Sequence, residues 1–462
     1  MVTGGVDIAY KCIADRVGNV YVAGSSYNNL NGEDVLIIKY DTKGDTIWTA
    51  RYNGPGNGGD IYVDMVIDKY ANIYIACNSL GGGVDYTAVK YDSSGNKLWT
   101  GYYPAGRPAS IAIDSALNVY LTGNSLSGFF FQYTTVKFSN SGVFQWVKNY
   151  SEFNADAEAV SVAVDENKNV YVTGSVDSST IQSLSKIFTI KYDSLGNVIW
   201  FQRYKSLFFW MDEAYKILLD ASGNPLISGT GLIKYNSNGD FLWADTMAGG
   251  RIISLDKQNN IYIAGDTSIN GIYNNPFKRN RFLKNALENL SIQTLMKTIK
   301  YNQNGNRIWG VTYGSIIPGG MSYGSSDIVV ENNNNIYLAG GVTAGQNQDS
   351  IILLKYSQPI GIQGNGNQIP DKFKLYQNYP NPFNPKTIIK YSLPLPSKGG
   401  VQEVKLIISD ILGKEVIILV NAEQKAGTYE VEWNAANFSS GVYFYTLKTV
   451  NFIATKKMIL MK

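Results

Sequence analysis

The chain has 462 residues, 44% hydrophobic and 17% charged, with a net charge of +3 from 40 basic and 37 acidic side chains. Low charge with 33 Tyr and 46 Gly suits an all-β protein rich in tight turns, and the near-balance of sign gives no electrostatic case for nucleic acid. Histidine is absent, which excludes Ser-His-Asp and Cys-His nucleophile systems, histidine general bases and His-ligated zinc, copper or non-haem iron.

Cys12 and Cys77 cannot build a thiolate metal site by themselves. Each sits in a strand-like run, Tyr10-Lys11-Cys12-Ile13-Ala14 and Tyr74-Ile75-Ala76-Cys77, and both are expected to be small buried side chains. No cofactor and no metal are expected. No run of about 18 apolar residues is present, so no transmembrane helix is expected. Met1 leads straight into strand-like sequence, without a signal peptide.

From the N-terminus onward one line recurs. It reads Val20-Tyr21-Val22-Ala23-Gly24, Ile73-Tyr74-Ile75-Ala76-Cys77, Val119-Tyr120-Leu121-Thr122-Gly123, Val170-Tyr171-Val172-Thr173-Gly174, Pro225-Leu226-Ile227-Ser228-Gly229, Ile261-Tyr262-Ile263-Ala264-Gly265 and Ile336-Tyr337-Leu338-Ala339-Gly340. A second line follows each of the first six copies: Lys39-Tyr40-Asp41 leads through Gly44 to Trp48, Lys90-Tyr91-Asp92 through Gly95 to Trp99, and Lys137-Phe138 through Gly142 to Trp146. Lys191-Tyr192-Asp193 leads through Gly196 to Trp200, Lys234-Tyr235 through Gly239 to Trp243, and Lys300-Tyr301 through Gly305 to Trp309. The seventh unit stops at Lys355-Tyr356.

Each full unit therefore holds four strands in two hairpins. The fixed Gly fits a turn residue at positive φ. The first turn is looser: Gly18 and Gly223 hold the place in two copies, and Ala71, Leu117, Lys168, Asn259 and Asn334 in the others. Four antiparallel strands repeated about every 50 residues predict a seven-bladed β-propeller over residues 1–357. The Trp falls on the outermost strand and is expected to pack between blades.

The Asp-to-Asn turns, such as Asp114 to Asn118 and Asp165 to Asn169, place oxygens at alternate positions, but the further carboxylate of a calcium loop is missing, so they read as hairpin turns. Two aromatic clusters interrupt the pattern, Phe129-Phe130-Phe131 and Phe208-Phe209-Trp210, both expected in inter-strand connections as ligand-binding candidates or as local packing. The sixth unit carries a long insertion from Asp266 to about Lys297, with Lys278, Arg279 and Arg281 and a helix-permissive stretch. Binding and decorative roles stay open for it.

The units over about residues 7–357 resemble the SBBP family of β-propeller repeats, common in secreted bacterial proteins; the resemblance implies a fold, not an activity. The Asp-Gly-Trp line is also similar to the tryptophan-docking repeat of quinone-dependent dehydrogenases, but Gly lies one position closer to Asp here. The Asp-box of sialidases is tighter between Gly and Trp. Neither activity is carried over.

Residues 358–370, with Gly361, Gly364, Gly366 and Pro370, read as a linker. Tyr379-Pro380-Asn381-Pro382-Phe383-Asn384-Pro385 then forces an extended entry. Strands are expected around Thr387 to Tyr391, Val404 to Ile408, Glu415 to Val420, Thr428 to Trp433, Val442 to Lys448 and Ile453 to Leu460. Together they suggest a small immunoglobulin-like β-sandwich over residues 371–462. The Pro-rich entry, Asp410-Ile411-Leu412-Gly413-Lys414, Ser440-Gly441-Val442-Tyr443-Phe444 and Lys456-Lys457-Met458-Ile459-Leu460 together resemble the type IX secretion C-terminal sorting domain. That resemblance implies the type IX machinery as partner and a secreted or outer-surface address.

For the propeller, an extracellular glycan or protein is the expected class of partner, with a His-free polysaccharide hydrolase or lyase as the alternative, since two carboxylates can cleave a glycosidic bond. A last expectation concerns the start. A sorting domain needs an earlier Sec signal, the seventh unit lacks its fourth strand, and Val2-Thr3 with Gly5 aligns with Val311-Thr312 and Gly314. Residues near Met1 are therefore expected to be the remnant of a strand that closes the ring, with the natural start further upstream.

Overall fold

The first hairpins of blades one to six close on an aspartate. Asp15 Oδ1 accepts the N–H groups of Val17 and Asn19 at 3.1 and 2.9 Å, and Oδ2 accepts the Asn19 side-chain amide at 2.8 Å. Asp68, Asp114, Asp220 and Asp256 repeat the arrangement. The repeat's Tyr donates its hydroxyl to the second carboxylate oxygen, at 3.1 Å for Tyr74 on Asp68 and 3.0 Å for Tyr120 on Asp114. The repeat's Lys lies over that Tyr ring, as Lys90 does at 4.8 Å and Lys191 at 4.7 Å. Burial pushes the Tyr21 phenol up to about 12 and pulls Lys90, Lys137, Lys191 and Lys300 below the ordinary lysine range, against the opposing pull of the nearby Asp. Oxygens that could have served a cation are thus taken up by Asn, Tyr and backbone donors.

The turn geometry holds even where Gly is missing. Ala71, Leu117 and Lys168 each adopt φ 64°, the place that Gly18 and Gly223 hold with φ 93° and 73°. Left-handed backbone costs an L-residue roughly 1–2 kcal/mol, partly returned by lower unfolded-state entropy. Lys168→Gly is therefore expected to stabilise the protein by about 0.5–1 kcal/mol, measured as a higher urea midpoint. A lower midpoint would contradict the strain.

The computed structural model describes residues 7–28, 32–56, 58–79, 85–104, 106–152, 155–178, 185–206, 212–246, 248–268, 294–313, 321–330, 335–344, 349–357, 372–395 and 400–461. No helix occurs among them, so none is long and apolar enough to cross a membrane. The strands form six four-stranded antiparallel sheets in sequential order and a seventh of three strands, the blades of a β-propeller fold. They span residues 7–52, 60–103, 107–150, 155–204, 214–245, 252–313 and 321–357. Blades one to five belong to one compact unit, 1–251, and blades six and seven share a second unit, 252–462, with the C-terminal sandwich. The segment at Val2 to Gly5, expected to complete a strand, lies outside the described residues.

Apolar clusters lie between successive sheets rather than within them. Tyr21 and Ile37 of blade one meet Met65 and Ile75 of blade two, and Tyr171 of blade four meets Ile217 and Ile233 of blade five. Blade one is the first sheet of its unit, and its inner strand Asp7–Ala14 is largely exposed. That corrects the expectation for the cysteines: Cys77 is buried, but Cys12 is exposed, and both are free.

The second hairpin ties blades one, three and four to the blade that follows. Lys39 Nζ and Trp48 Nε1 of blade one both donate to the Ser93 carbonyl of blade two, at 2.9 and 3.1 Å. Lys137 and Trp146 meet on Ser194 O at 2.7 and 3.2 Å, and Lys191 and Trp200 on Ser237 O at 2.8 and 3.1 Å. The acceptor sits in the turn whose Gly was legible in sequence. A Cβ on Gly95, Gly142 or Gly239 would lie 2.7–2.8 Å from the preceding blade's indole, and all three have φ of 82–92°. Glycine is required twice there, by the backbone and by the ring above it.

The C-terminal sandwich has a three-stranded sheet, Lys374–Leu375, Lys386–Leu393 and Gly427–Asn434, and a four-stranded sheet in the order Glu415–Lys425, Val401–Ser409, Gly441–Thr449, Ile453–Leu460. Its core draws only on residues 375–460, with Trp433, Tyr391, Tyr445 and Leu406 nearly inaccessible.

Candidate functional sites

The Pro-rich entry of the sandwich is a latch on its last strand. Proline lacks an N–H, so the hydrogen bonds fall to the residues between. Asn378, buried, donates its N–H to Tyr445 Oη at 2.9 Å and its side-chain amide to Thr387 Oγ1 and Pro380 O at 2.9 and 3.1 Å. Tyr445 donates its hydroxyl to Tyr376 O at 2.8 Å, and burial raises its pKa to about 12. Asn381 Oδ1 accepts the Ile459 N–H at 2.9 Å. Phe383 N–H donates to Ile459 O and Phe383 O accepts from Met461, both at 3.0 Å. The Phe383 ring is buried with its centroid 5.4 Å from that of Trp433.

The motif thus divides by role. Asn381 and Phe383 hold the end of the chain, Pro385 O accepts the Ala435 N–H at 2.8 Å, and Tyr379, Pro380, Pro382 and Asn384 face solvent. The peptide bonds before Pro380 and Pro382 are cis. Gly413 has φ 80° in a turn closed by Asp410, the device of the propeller hairpins, and Gly441 opens the third strand of the four-stranded sheet. Asn378, Thr387 and Tyr445 were not singled out from sequence. Their partners are up to 69 positions away, so no local spacing marks them.

The aromatic cluster of blade three is not a connection, as expected, but the tip of a long hairpin. Val119–Ser127 pairs with Phe130–Phe138 through to Ser127 opposite Phe130, so Phe130 and Phe131 are strand residues. The loop is Gly128-Phe129 alone, with Gly128 at φ 66°, and a two-residue turn of this kind extends the ladder to its end. Phe129 is 98% exposed and Leu126 66%, while Phe130 and Phe131 are half-buried. Phe131 N–H is tied to Asp156 Oδ1 of blade four at 2.8 Å. Phe208, Phe209, Trp210, Lys278, Arg279 and Arg281 lie outside the described residues.

Two buried carboxylates of the first unit, Asp60 and Asp212, hold the connections between blades. Asp60 accepts Ser79 Oγ at 2.5 Å and the Gly54 N–H at 2.6 Å, and burial raises its pKa. Asp212 accepts the Ser206 N–H and hydroxyl at 2.7 and 2.8 Å and pairs with Lys205 at 3.2 Å. In the second unit a cleft of about 580 Å³ is lined by Arg307, Lys405 and Lys448 with Glu403 and Glu423, charges of both signs. Among the described residues no three Asp, Glu or Cys side chains are placed to hold a metal ion.

A family model described as a secretion system C-terminal sorting domain matches residues 377–461. A WD repeat-containing protein of Acanthamoeba polyphaga mimivirus, described as uncharacterized, is 23% identical over 399 residues, 68% of this chain and 26% of that protein. The chain thus spans about a quarter of that relative. Among solved structures, PorZ, an essential bacterial surface component of the type IX secretion system of Porphyromonas gingivalis, is 13% identical at TM-score 0.41, over 98% of this chain and 59% of PorZ. A PL25-family ulvan lyase is 12% identical at TM-score 0.43, over 74% of this chain and 90% of that one. The C-terminal WD40 domain of Sif2 is 7% identical at TM-score 0.41, over 76% and 96%. With the sorting-domain model matched over the latched sandwich, residues 377–461 carry a type IX secretion C-terminal sorting domain, which marks the protein as secreted or carried on the outer cell surface.

Proposed function

We propose that this chain is an extracellular binding protein whose propeller presents the blade-three tip to a glycan, with residues 371–462 as a separate export domain behind the 358–370 linker. The observation that carries the binding reading is Phe129, a large apolar ring 98% exposed at the end of a hairpin fixed in register. An exposed ring on a rigid support costs water contact without gaining core, which favours a role in recognition, and an aromatic face stacks on the apolar face of a sugar ring. A hydrolase or lyase would need two carboxylates facing each other across one pocket. Asp60 and Asp212 are instead spent on blade junctions, which favours binding.

The full chain, fluorescently labelled, is expected to bind at least one polysaccharide on a glycan array, and Phe129→Asp with Leu126→Asp to weaken that binding at least tenfold. Both side chains are exposed, so the thermal midpoint should stay in place. Binding that survives the double change, or no glycan binding by the parent chain, rejects the tip as a glycan site.

A further inference from the structure

The two sheets of the sorting domain turn very different faces to solvent. On the three-stranded sheet, Lys386 pairs with Glu432 at 2.9 Å and Lys390 with Glu430 at 2.8 Å, around Ile388. Charges are closed within that face, as expected of a surface that meets only water.

On the four-stranded sheet the register places Ile407 between Ile418 and Thr446, with Thr455 beyond. The next row is Ser409, Phe444 and Lys457, and the next Val442 and Ile459. Ile418, Val442, Phe444 and Ile459 take no part in the core shared by the two sheets and form an apolar stripe on the outward face, with Ile407 buried in the same row. At its end Lys405 stands directly opposite Lys448, a like-charge cross-strand pair that costs stability. Lys405 reaches Glu415 at 3.7 Å and, with Lys448, borders the cleft that Glu403 and Glu423 also line, while Lys457 has no ion pair among the described residues.

The outer edge of the last strand is meanwhile occupied toward its end. Gln377 donates to Lys457 O at 2.8 Å, and Asn381 and Phe383 take up Ile459. Addition of a partner strand along that stretch is blocked.

We propose that this outward face of the four-stranded sheet is the surface by which the sorting domain docks on the type IX export machinery. The partner surface is apolar opposite Val442, Phe444 and Ile459 and carries a carboxylate opposite Lys457. The proposal rests on the sorting-domain assignment. Core apolar contacts with a charged rim give both affinity and orientation.

The test uses the full chain behind a Sec leader in a type IX-competent bacterium, with the secreted or surface fraction measured against the periplasmic one. Phe444→Asp with Ile459→Asp is expected to lower the exported fraction at least tenfold, Lys457→Glu several-fold, and Ile388→Asp on the opposite face not at all. Protease resistance of the periplasmic tail reports that it is folded. Should the double variant be degraded, Lys457→Glu, a change outside the core, decides alone. Export of Lys457→Glu or of a folded double variant at the parent level overturns the proposal, as does an equal loss for Ile388→Asp. A chain ended at residue 370 separates the two claims: if it is still exported, the sorting assignment fails, not the choice of face.

Discussion

A passenger protein with a Sec leader in front and residues 371–462 behind is expected to reach the surface or medium of a type IX-competent host, whereas the same fusion with Asn378→Ala and Phe383→Ala is expected to stay in the periplasm. The tail's core uses only its own residues, 375–460, so it has the means to fold apart from the propeller. A domain of this size has about 5–10 kcal/mol of stability in total. Truncating a buried Phe costs about 3–5 kcal/mol, and Phe383 is buried against Trp433. Removing the Asn378 amide leaves Thr387 Oγ1 without its donor inside the fold, while Pro380 O keeps the Thr387 hydroxyl, for a further cost of about 1–3 kcal/mol. Together the two changes approach the whole stability of the tail and free its last strand. Export of the doubly changed fusion at the parent level would show that the latch is dispensable, and retention of the unchanged fusion would show that the tail is not sufficient.

Trp200→Ala is expected to destabilise the propeller by about 3–5 kcal/mol in urea titration. Its ring seals the seam between blades four and five, and its N–H shares the Ser237 carbonyl with Lys191. Gly239→Ala attacks the same seam from the other side, placing a Cβ 2.8 Å from the indole at φ 92°. The backbone term alone costs roughly 1–2 kcal/mol, and the clash adds to it. The combination is the sharper measurement. Once the indole is gone, the methyl introduced by Gly239→Ala has room, so the double variant should lose less than the sum of the two single losses. Strict additivity would mean that ring and turn do not meet.

The sorting domain and the propeller were legible for different reasons. Seven copies of one strand line, six of them Tyr-centred, and six Gly-to-Trp spacings repeat in the sequence, and a periodic pattern reports a repeated unit without any knowledge of its packing. The tail was legible through four short motifs in order, and its strands fall where alternation and Gly placed them. Even the packing role of the Trp follows, because a large ring on an outer strand has little else to bury it.

Tertiary structure alone decided which atoms meet. The Trp48 N–H finds its acceptor at Ser93, 45 positions on, and Asn378 finds Tyr445 at a distance of 67 positions. Neither separation leaves a trace in local periodicity. Lys168 accepts a left-handed turn that its residue type disfavours, because Asp165 holds both the N–H and the amide of Asn169. Cys12 and Cys77 look alike in sequence, yet one is exposed and the other buried, since burial depends on whether a neighbouring sheet lies over the strand. Phe130 and Phe131 looked like a loop because aromatic runs without alternation carry no period of two; the pairing of Ser127 with Phe130 made them strand and left Phe129 in the open. Repeat, turn and strand are properties of neighbours in sequence, and so the sequence determined them; exposure, acceptor and latch are properties of neighbours in space, which only the folded chain brings together.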